Sequence, residues 1–381
     1  MKDAMNSLLN ETEDLRVQSE PFVLNIGPSH PSTHGVFRLR TVMDGELVIE
    51  MEPMFGYLHR GIEKLAETRT YTQFIPLTDR LDYLACMTNN LGYCMTVEKL
   101  AGIEVPERAE YIRVLISELM RVQSHITATG FLFNEMGCFI TPIMQMWRER
   151  EKLIDLFEML CGQRLTYNYI RIGGVSHDLP DSFLIKARQY VNEMSGWITE
   201  YDNLLAENEI VQIRMKGVGI LSYDDVINYS VTGPMARASG LDRDLRRDEP
   251  YSVYDRFDFD VIIRQNGDNY DRYRLRIDEM RQSLKIVDQA LDSLPSGKIR
   301  ADVPHFLRPP VGEVFCRIEA PKGELGFYIV SDNSIAPYRL HIRSPIFLNL
   351  ATLPNLARGW KLADAILTAG TYDVCMGEVD R

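Results

Sequence analysis

The sequence predicts an α+β protein with a small N-terminal β region, a central helical bundle and a mixed C-terminal part. Three observations carry that prediction. Short β-prone runs separated by Gly, Pro and Ser fill the first fifty or so residues; apolar residues recur at helical spacing from about residue 58 to residue 294; strand-like runs return after Pro304. On this reading the 381 residues divide into a polar leader (1–18), the β region (19–56), the bundle (57–297) and the C-terminal α+β part (298–381).

In the β region, Phe22–Ile26, Val36–Leu39 and Glu46–Met51 read as strands, the first two flanking the turn-rich segment Gly27-Pro-Ser-His-Pro-Ser-Thr-His-Gly35. In the bundle, Ile112, Leu115, Ile116, Leu119, Met120 and Ile126 recur at i, i+3, i+4, i+7 and define a core-packed helix, with Arg113, Glu118 and Arg121 on its other faces. Pro142 precedes a second helix, lined by Met146, Leu153, Phe157 and Leu160, that ends near Gly162. Two longer helices follow. Asp181 to about Asn208 carries Phe183, Ala187, Tyr190, Met194, Trp197, Tyr201 and Leu204 as a narrow seam, and Tyr273, Ile277, Met280, Leu284, Val287, Leu291 and Leu294 repeat the spacing before Pro295-Ser-Gly297. Such seams also suit a homodimeric coiled coil, but two within one chain pack more simply on each other. In the C-terminal part, Val314–Ile318 and Leu325–Val330 read as strands, Pro337 and Pro345 as breaks, and Leu362–Leu367 as a last helix.

Composition narrows the function. A chain of 381 residues needs no disulfide staples, and with 45% apolar and 25% charged residues it has an ordinary globular balance without an apolar run near the roughly 18 residues that span a bilayer. The net charge of −12 disfavours general attraction to nucleic acid or anionic lipid, so any anion site must be local. Cys86, Cys94, Cys138, Cys161, Cys316 and Cys375 form no C-x-x-C, so no iron-sulfur cluster or structural zinc, and no metal of the chain's own, is expected. The polar segment Met1–Gln18 lacks the apolar stretch of a secretion signal, and reduced thiols in a cytoplasmic setting are the expectation.

Two segments concentrate chemistry. Gly27–Gly35 sets two histidines on a stiff loop between strands, which fits either a surface hairpin with incidental imidazoles or a site. The stretch from Gly56-Tyr-Leu-His-Arg-Gly61 through Glu63, Lys64, Arg69 and Tyr71 to Asp79-Arg-Leu-Asp-Tyr83 reads, on composition alone, as a solvated helix face.

Those segments, Gly27–Arg38, Tyr57–Lys64 and Asp79–Tyr83, together with Arg148–Glu151, Tyr169–Val175, Gly323–Asp332 and Gly377–Arg381, closely resemble the D subunit of the proton-pumping NADH-quinone oxidoreductases, respiratory complex I. The resemblance spans the chain after the leader. It implies a fold like that of the large subunit of nickel-iron hydrogenases, whose metal is held by two cysteine pairs. Where a hydrogenase has R-x-C-G-x-C, this chain has Arg80-Leu-Asp82-Tyr83-Leu-Ala85; where it has D-P-C-x-x-C, this chain has Asp373-Val-Cys375-Met-Gly-Glu378. One thiolate of four remains, which cannot hold a nickel-iron centre.

The resemblance implies instead a quinone head-group pocket beside a [4Fe-4S] cluster carried by the neighbouring B subunit. His34 and Tyr83 match the family's two donors to the quinone carbonyls, and Glu135 is the counterpart of an aspartate that orients the histidine, although one extra residue before Thr141 shifts the alignment and leaves Asn134 as a rival. Arg60 and Arg80 match arginines beside the cluster; their other reading is structural pairing with Glu63 or Asp82. Thr166 stands where many relatives carry a cluster-linked histidine, which slightly favours menaquinone over ubiquinone as the substrate. The implied partners are the complex I subunits B, C, H and I, with the membrane arm reached indirectly from the cytoplasmic side and no nucleic acid. The alternatives are the equivalent subunit of a membrane oxidoreductase fed by ferredoxin or a deazaflavin, and a purely structural assembly subunit.

Overall fold

The computed structural model describes residues 20–30, 35–138 and 141–381. The leader 1–18 and His34 lie outside the described residues. At the N-terminal side, strands Phe22–Ile26, Arg38–Asp44 and Leu47–Met54 form one antiparallel sheet in chain order. Strand two alternates as its sequence does: Leu39, Thr41 and Met43 are buried, while the side chains between them are not. A register shift at Val42/Met43 bends the ladder. Ile26 pairs with Leu39 at the end of the first strand pair.

This sheet packs on the far end of the chain. Ile26, Phe37, Leu39, Met43, Val48 and Met51 share a core with Leu353, Leu356, Ala365, Val374, Met376 and Val379. The two ends that the sequence reading treats as separate regions therefore close on each other. Helix Leu362–Gly370 runs three residues past the sequence expectation, and a further helix, Met376–Asp380, carries the terminal motif.

The bundle is built around Glu107–Glu135, a 29-residue helix with Pro106 at its N-cap and Glu107 and Glu110 in its first turn. Helices Cys86–Ala101, Thr141–Cys161 and Asn269–Asp292 pack against it. Because neighbours cover it on all sides, its polar faces are buried too, which periodicity does not anticipate. Arg113, Glu118, Arg121 and His125 are all inside. Each is compensated: Arg113 by Glu98 at 2.5 Å, Glu118 by Arg121 at 3.2 Å and Arg246 at 3.1 Å, and His125 by Glu279 at 2.9 Å. Helix Asp181–Leu205 lays its seam against Asn269–Asp292, but Leu204 turns out to solvent and Leu205 takes its place inside.

The C-terminal sheet has strands Gly312–Ala320, Gly323–Ser331 and Arg339–Arg343, antiparallel in that order. The third falls between the two prolines read as breaks; its Leu340 and Ile342 point inward while Arg339 and His341 do not, the pattern of a short edge strand. The first two strands lie on helix Cys86–Ala101, where Gly92 makes room: a Cβ there would sit 3.0 Å from the Phe327 ring. Their tight connection, Ala320–Gly323, aims Lys322 into the centre of the molecule. No helix among the described residues is long and apolar enough to cross a membrane.

Candidate functional site

The site begins at the turn between helices Tyr71–Thr78 and Cys86–Ala101. Two asparagines on the second helix hold the turn closed. Asn89 Nδ2 donates to the Thr78 and Asp82 carbonyls at 3.2 and 2.9 Å, and Asn90 Nδ2 donates to Asp79 at 2.5 Å and to Thr78 Oγ1 at 2.8 Å. This clasp fixes where Arg80, Asp82 and Tyr83 point. Arg80 remains half-exposed, Asp82 turns inward, and Tyr83 is partly buried.

Tyr83 opens onto a cavity of 460 Å³. Leu84, Phe131, Trp147, Leu165 and Val374 give it apolar walls, and Tyr83, Asp373 and Arg150 supply polar groups. Its size and mostly apolar lining suit a flat organic ring with a few anchoring contacts. Gly35 also lines it, so the residue next to His34 in sequence reaches the cavity rim. Glu135, the last residue of the central helix, reaches the same wall: a Cβ built on Gly370, another lining residue, would lie 1.8 Å from Glu135 Oε2. Only a glycine accommodates the carboxylate there.

Behind Tyr83 lies a buried ionic cluster. Lys322 Nζ is 2.5 Å from Asp373 Oδ2, 3.6 Å from Asp82 Oδ2 and 3.5 Å from Ser124 Oγ. Burial opposes the lysine's charge, but Asp373 and Asp82 outweigh it and raise its pKa, so it stays an ammonium. Burial pushes the Asp82 carboxyl upward, with Lys322 opposing and Asp373 reinforcing. Burial, helped by Asp82, pushes Glu378 up to about 8. Cys375, whose Sγ lies 3.6 Å from the Leu81 carbonyl, is held as a thiol by burial and by Asp82. The Cys375 sulfur, burial and the Asp82 carboxylate together raise the pKa of Tyr83, which keeps its hydroxyl a donor. Asp82 and Glu378 stand at two of the positions where the hydrogenase pattern has cysteine. No group of three or more His, Cys, Asp or Glu that could hold a metal ion occurs among the described residues.

Arg60 and Arg80 do not make the ion pairs with Glu63 or Asp82 that a structural role would supply. Arg60 donates to the Arg80 and Gly377 carbonyls at 2.7 and 2.6 Å, and Arg80 bonds the Pro76 carbonyl with Asp79 3.8 Å away. Glu63 is taken by Arg339 and the Ile342 amide, Asp82 by Lys322. The two guanidiniums are thus held beside each other by backbone oxygens, partly open to solvent. Thr166 sits at φ 53° on the loop after helix Thr141–Cys161, its hydroxyl donating to the Leu165 carbonyl at 2.7 Å. That loop joins the two regions: Leu165 lines the cavity, and Asn168 Nδ2 donates to Asp79 at 2.8 Å.

Lys322, Asp373, Phe131 and Trp147 are not among the site residues expected from the sequence. Asp373 heads the modified cysteine motif. Lys322 lies one residue outside the Gly323–Asp332 segment and carries no local signal.

A family profile described as "Respiratory-chain NADH dehydrogenase, 49 Kd subunit" matches residues 136–310 and 303–381. The D subunit of the NADH-quinone oxidoreductase of Dehalococcoides mccartyi is 57% identical over 367 residues, 96% of this chain and 100% of that protein. The proteins of the same name from Clostridium beijerinckii and Bacillus cereus are 51% and 49% identical, over 97% and 96% of this chain and 99% and 100% of their own lengths.

Proposed function

As the chain belongs to the family of the D subunit of NADH-quinone oxidoreductase, a component of a multisubunit enzyme, we propose that its Tyr83 cavity is the quinone-reduction site of that complex. The observation that carries this reading is the partly buried tyrosine hydroxyl, kept protonated, opening onto an apolar cavity of 460 Å³. Reduction of a quinone takes two electrons and two protons, and charge develops on two carbonyl oxygens. Donors aimed at those oxygens in a water-poor pocket stabilise that charge most. Tyr83 supplies the hydrogen bond at one carbonyl. His34, next in sequence to the rim residue Gly35, supplies it at the other, and Glu135 orients the imidazole. Leu84, Phe131 and Trp147 exclude water and hold the ring.

Electrons reach the quinone from a [4Fe-4S] cluster of the B subunit. Arg60 and Arg80 face it, where fixed positive charge favours the more negative reduced state. Subunits C, H and I complete the surroundings, and the chain lies on the cytoplasmic side of the membrane as a peripheral subunit. The assembled complex tests the donor: membranes from which this chain is purified should reduce quinone with NADH. Reduction supported by ferredoxin or a deazaflavin and not by NADH would assign the chain to the alternative enzyme.

Thr166 has no titratable proton near neutral pH, so cluster reduction draws no proton at this position. The cluster's midpoint potential is expected to be low and nearly pH-independent, which suits menaquinone. An EPR-monitored redox titration between pH 6 and 8 checks it; a marked slope with pH overturns the role given to Thr166.

Gly370→Ala is expected to push the Glu135 carboxylate off the cavity wall and to lower quinone turnover on the order of 10- to 100-fold, as misplacing a positioning group does. Glu135→Gln should act in the same direction by removing charge, and Asn134→Ala should not. Quinone reductase rates on complexes matched for assembly check this. Full activity in Gly370→Ala and Glu135→Gln, with loss in Asn134→Ala, would move the orienting role to Asn134.

A further inference from the structure

A second concave site lies apart from the Tyr83 cavity and shares no lining residue with it. Strands Gly312–Ala320, Gly323–Ser331 and Arg339–Arg343, with the adjoining segment 226–243, bound a cavity of 320 Å³. Its floor is apolar, from Val226, Val231 and Leu241, and its wall is cationic, from Arg243, Arg317 and Arg343. All three guanidiniums converge on one nearly buried carboxylate, Glu324, with N···O distances of 3.2, 3.4 and 3.3 Å.

Those distances are long for charge-assisted bonds, which settle near 2.7–2.9 Å. The reason is stoichiometric: two carboxylate oxygens serve three planar forks. Arg317 finds further compensation in Glu249 at the surface, whereas among the described residues the Arg243 guanidinium hydrogen-bonds to Glu324 alone. A second carboxylate in the lining, Glu319, is taken by Arg237 at 2.7 Å, so the three guanidiniums are left with two carboxylates, Glu324 and Glu249, on a chain whose total charge is −12. Burial lowers the pKa of Arg343; Glu324 opposes this, and Arg243 and Arg317 add to it, the mark of guanidiniums crowded together.

We propose that this pocket binds the phosphate group of a small organic phosphate, with its short organic body on the apolar floor. A phosphate monoester offers three terminal oxygens to three guanidiniums that now share two, and arginine forks match that geometry. A pocket of this volume sits at the small end of ligand sites, so the body is short. Glu324 acts as the built-in competitor: an arriving phosphate draws Arg243 and Arg343 away from it.

The test is calorimetric titration of the purified, assembled complex with glycerol 3-phosphate and with inorganic phosphate, at ionic strength held constant with chloride. The wild-type complex should bind glycerol 3-phosphate saturably, more tightly than inorganic phosphate. Arg243→Gln, a change at a half-exposed side chain, should weaken binding on the order of tenfold. Glu324→Gln should tighten it, because the competing carboxylate is gone, and this opposite sign separates a site from a generally damaged fold. Absence of saturable binding by the wild-type complex overturns the proposal, and so does equal affinity in Arg243→Gln. A pocket closed by a partner subunit would give the first of these results.

Discussion

Tyr83→Phe is expected to lower quinone reduction by about 10²- to 10³-fold, the usual cost of losing one preorganised donor to a developing oxyanion. The substitution removes a hydroxyl and changes the volume little, so the cavity walls of Leu84, Phe131 and Trp147 keep their packing. NADH oxidation by an artificial acceptor should persist if, as the proposed function has it, this chain contributes only the quinone end of the reaction. Both activities are to be measured on one preparation. Equal loss of both would mean that the variant complex fails to assemble, and unchanged quinone reduction would remove Tyr83 from the reaction.

Lys322→Met is expected to have the largest effect on stability. The ammonium is buried and neutralises Asp373 at 2.5 Å and Asp82 at 3.6 Å. Truncating one member of a buried charged group while its partners remain costs about 3–5 kcal/mol. Asp82 and Asp373 would then face each other unpaired beneath Tyr83, and one should take up a proton. The double variant Lys322→Met with Asp373→Asn removes the second charge and should recover much of the loss. Thermal denaturation of the assembled complexes tests this: a double variant no more stable than the single one would show that the ion pair is not what the lysine contributes.

The elements were legible in the sequence where one physical demand dominates. The seam from Phe183 to Tyr201 is buried against helices Asn269–Asp292 and Thr141–Cys161 while the opposite face stays in solvent, so a simple period marks it correctly until Leu204. The periodicity around Ile112 marks its helix but places Arg113, Glu118 and Arg121 on open faces; they are buried because helices surround it, and nothing local to Glu118 announces Arg246 or His125 announces Glu279. Strand Arg339–Arg343 was missed because five residues between prolines carry too little pattern.

The site divides in the same way. Tyr83, Arg60 and Arg80 sit in dense motifs whose resemblance to a family names them, and the structure adds their surroundings. Glu135 comes to the cavity through tertiary packing, since it meets Gly370 across 235 positions of chain. Lys322 could not be read at all: its role depends on a tight turn aiming it at two carboxylates distant in sequence, and only folding brings them together.

Whether this chain forms the quinone pocket is decided by photolabelling the assembled complex with an arylazido quinone that supports turnover and mapping the adducts by mass spectrometry. Labelling is expected within the peptides that carry Tyr83 and Leu84, Phe131, Trp147 or Leu165, suppressed by excess unlabelled quinone. Saturable labelling confined to other subunits, with none on these peptides, would contradict it.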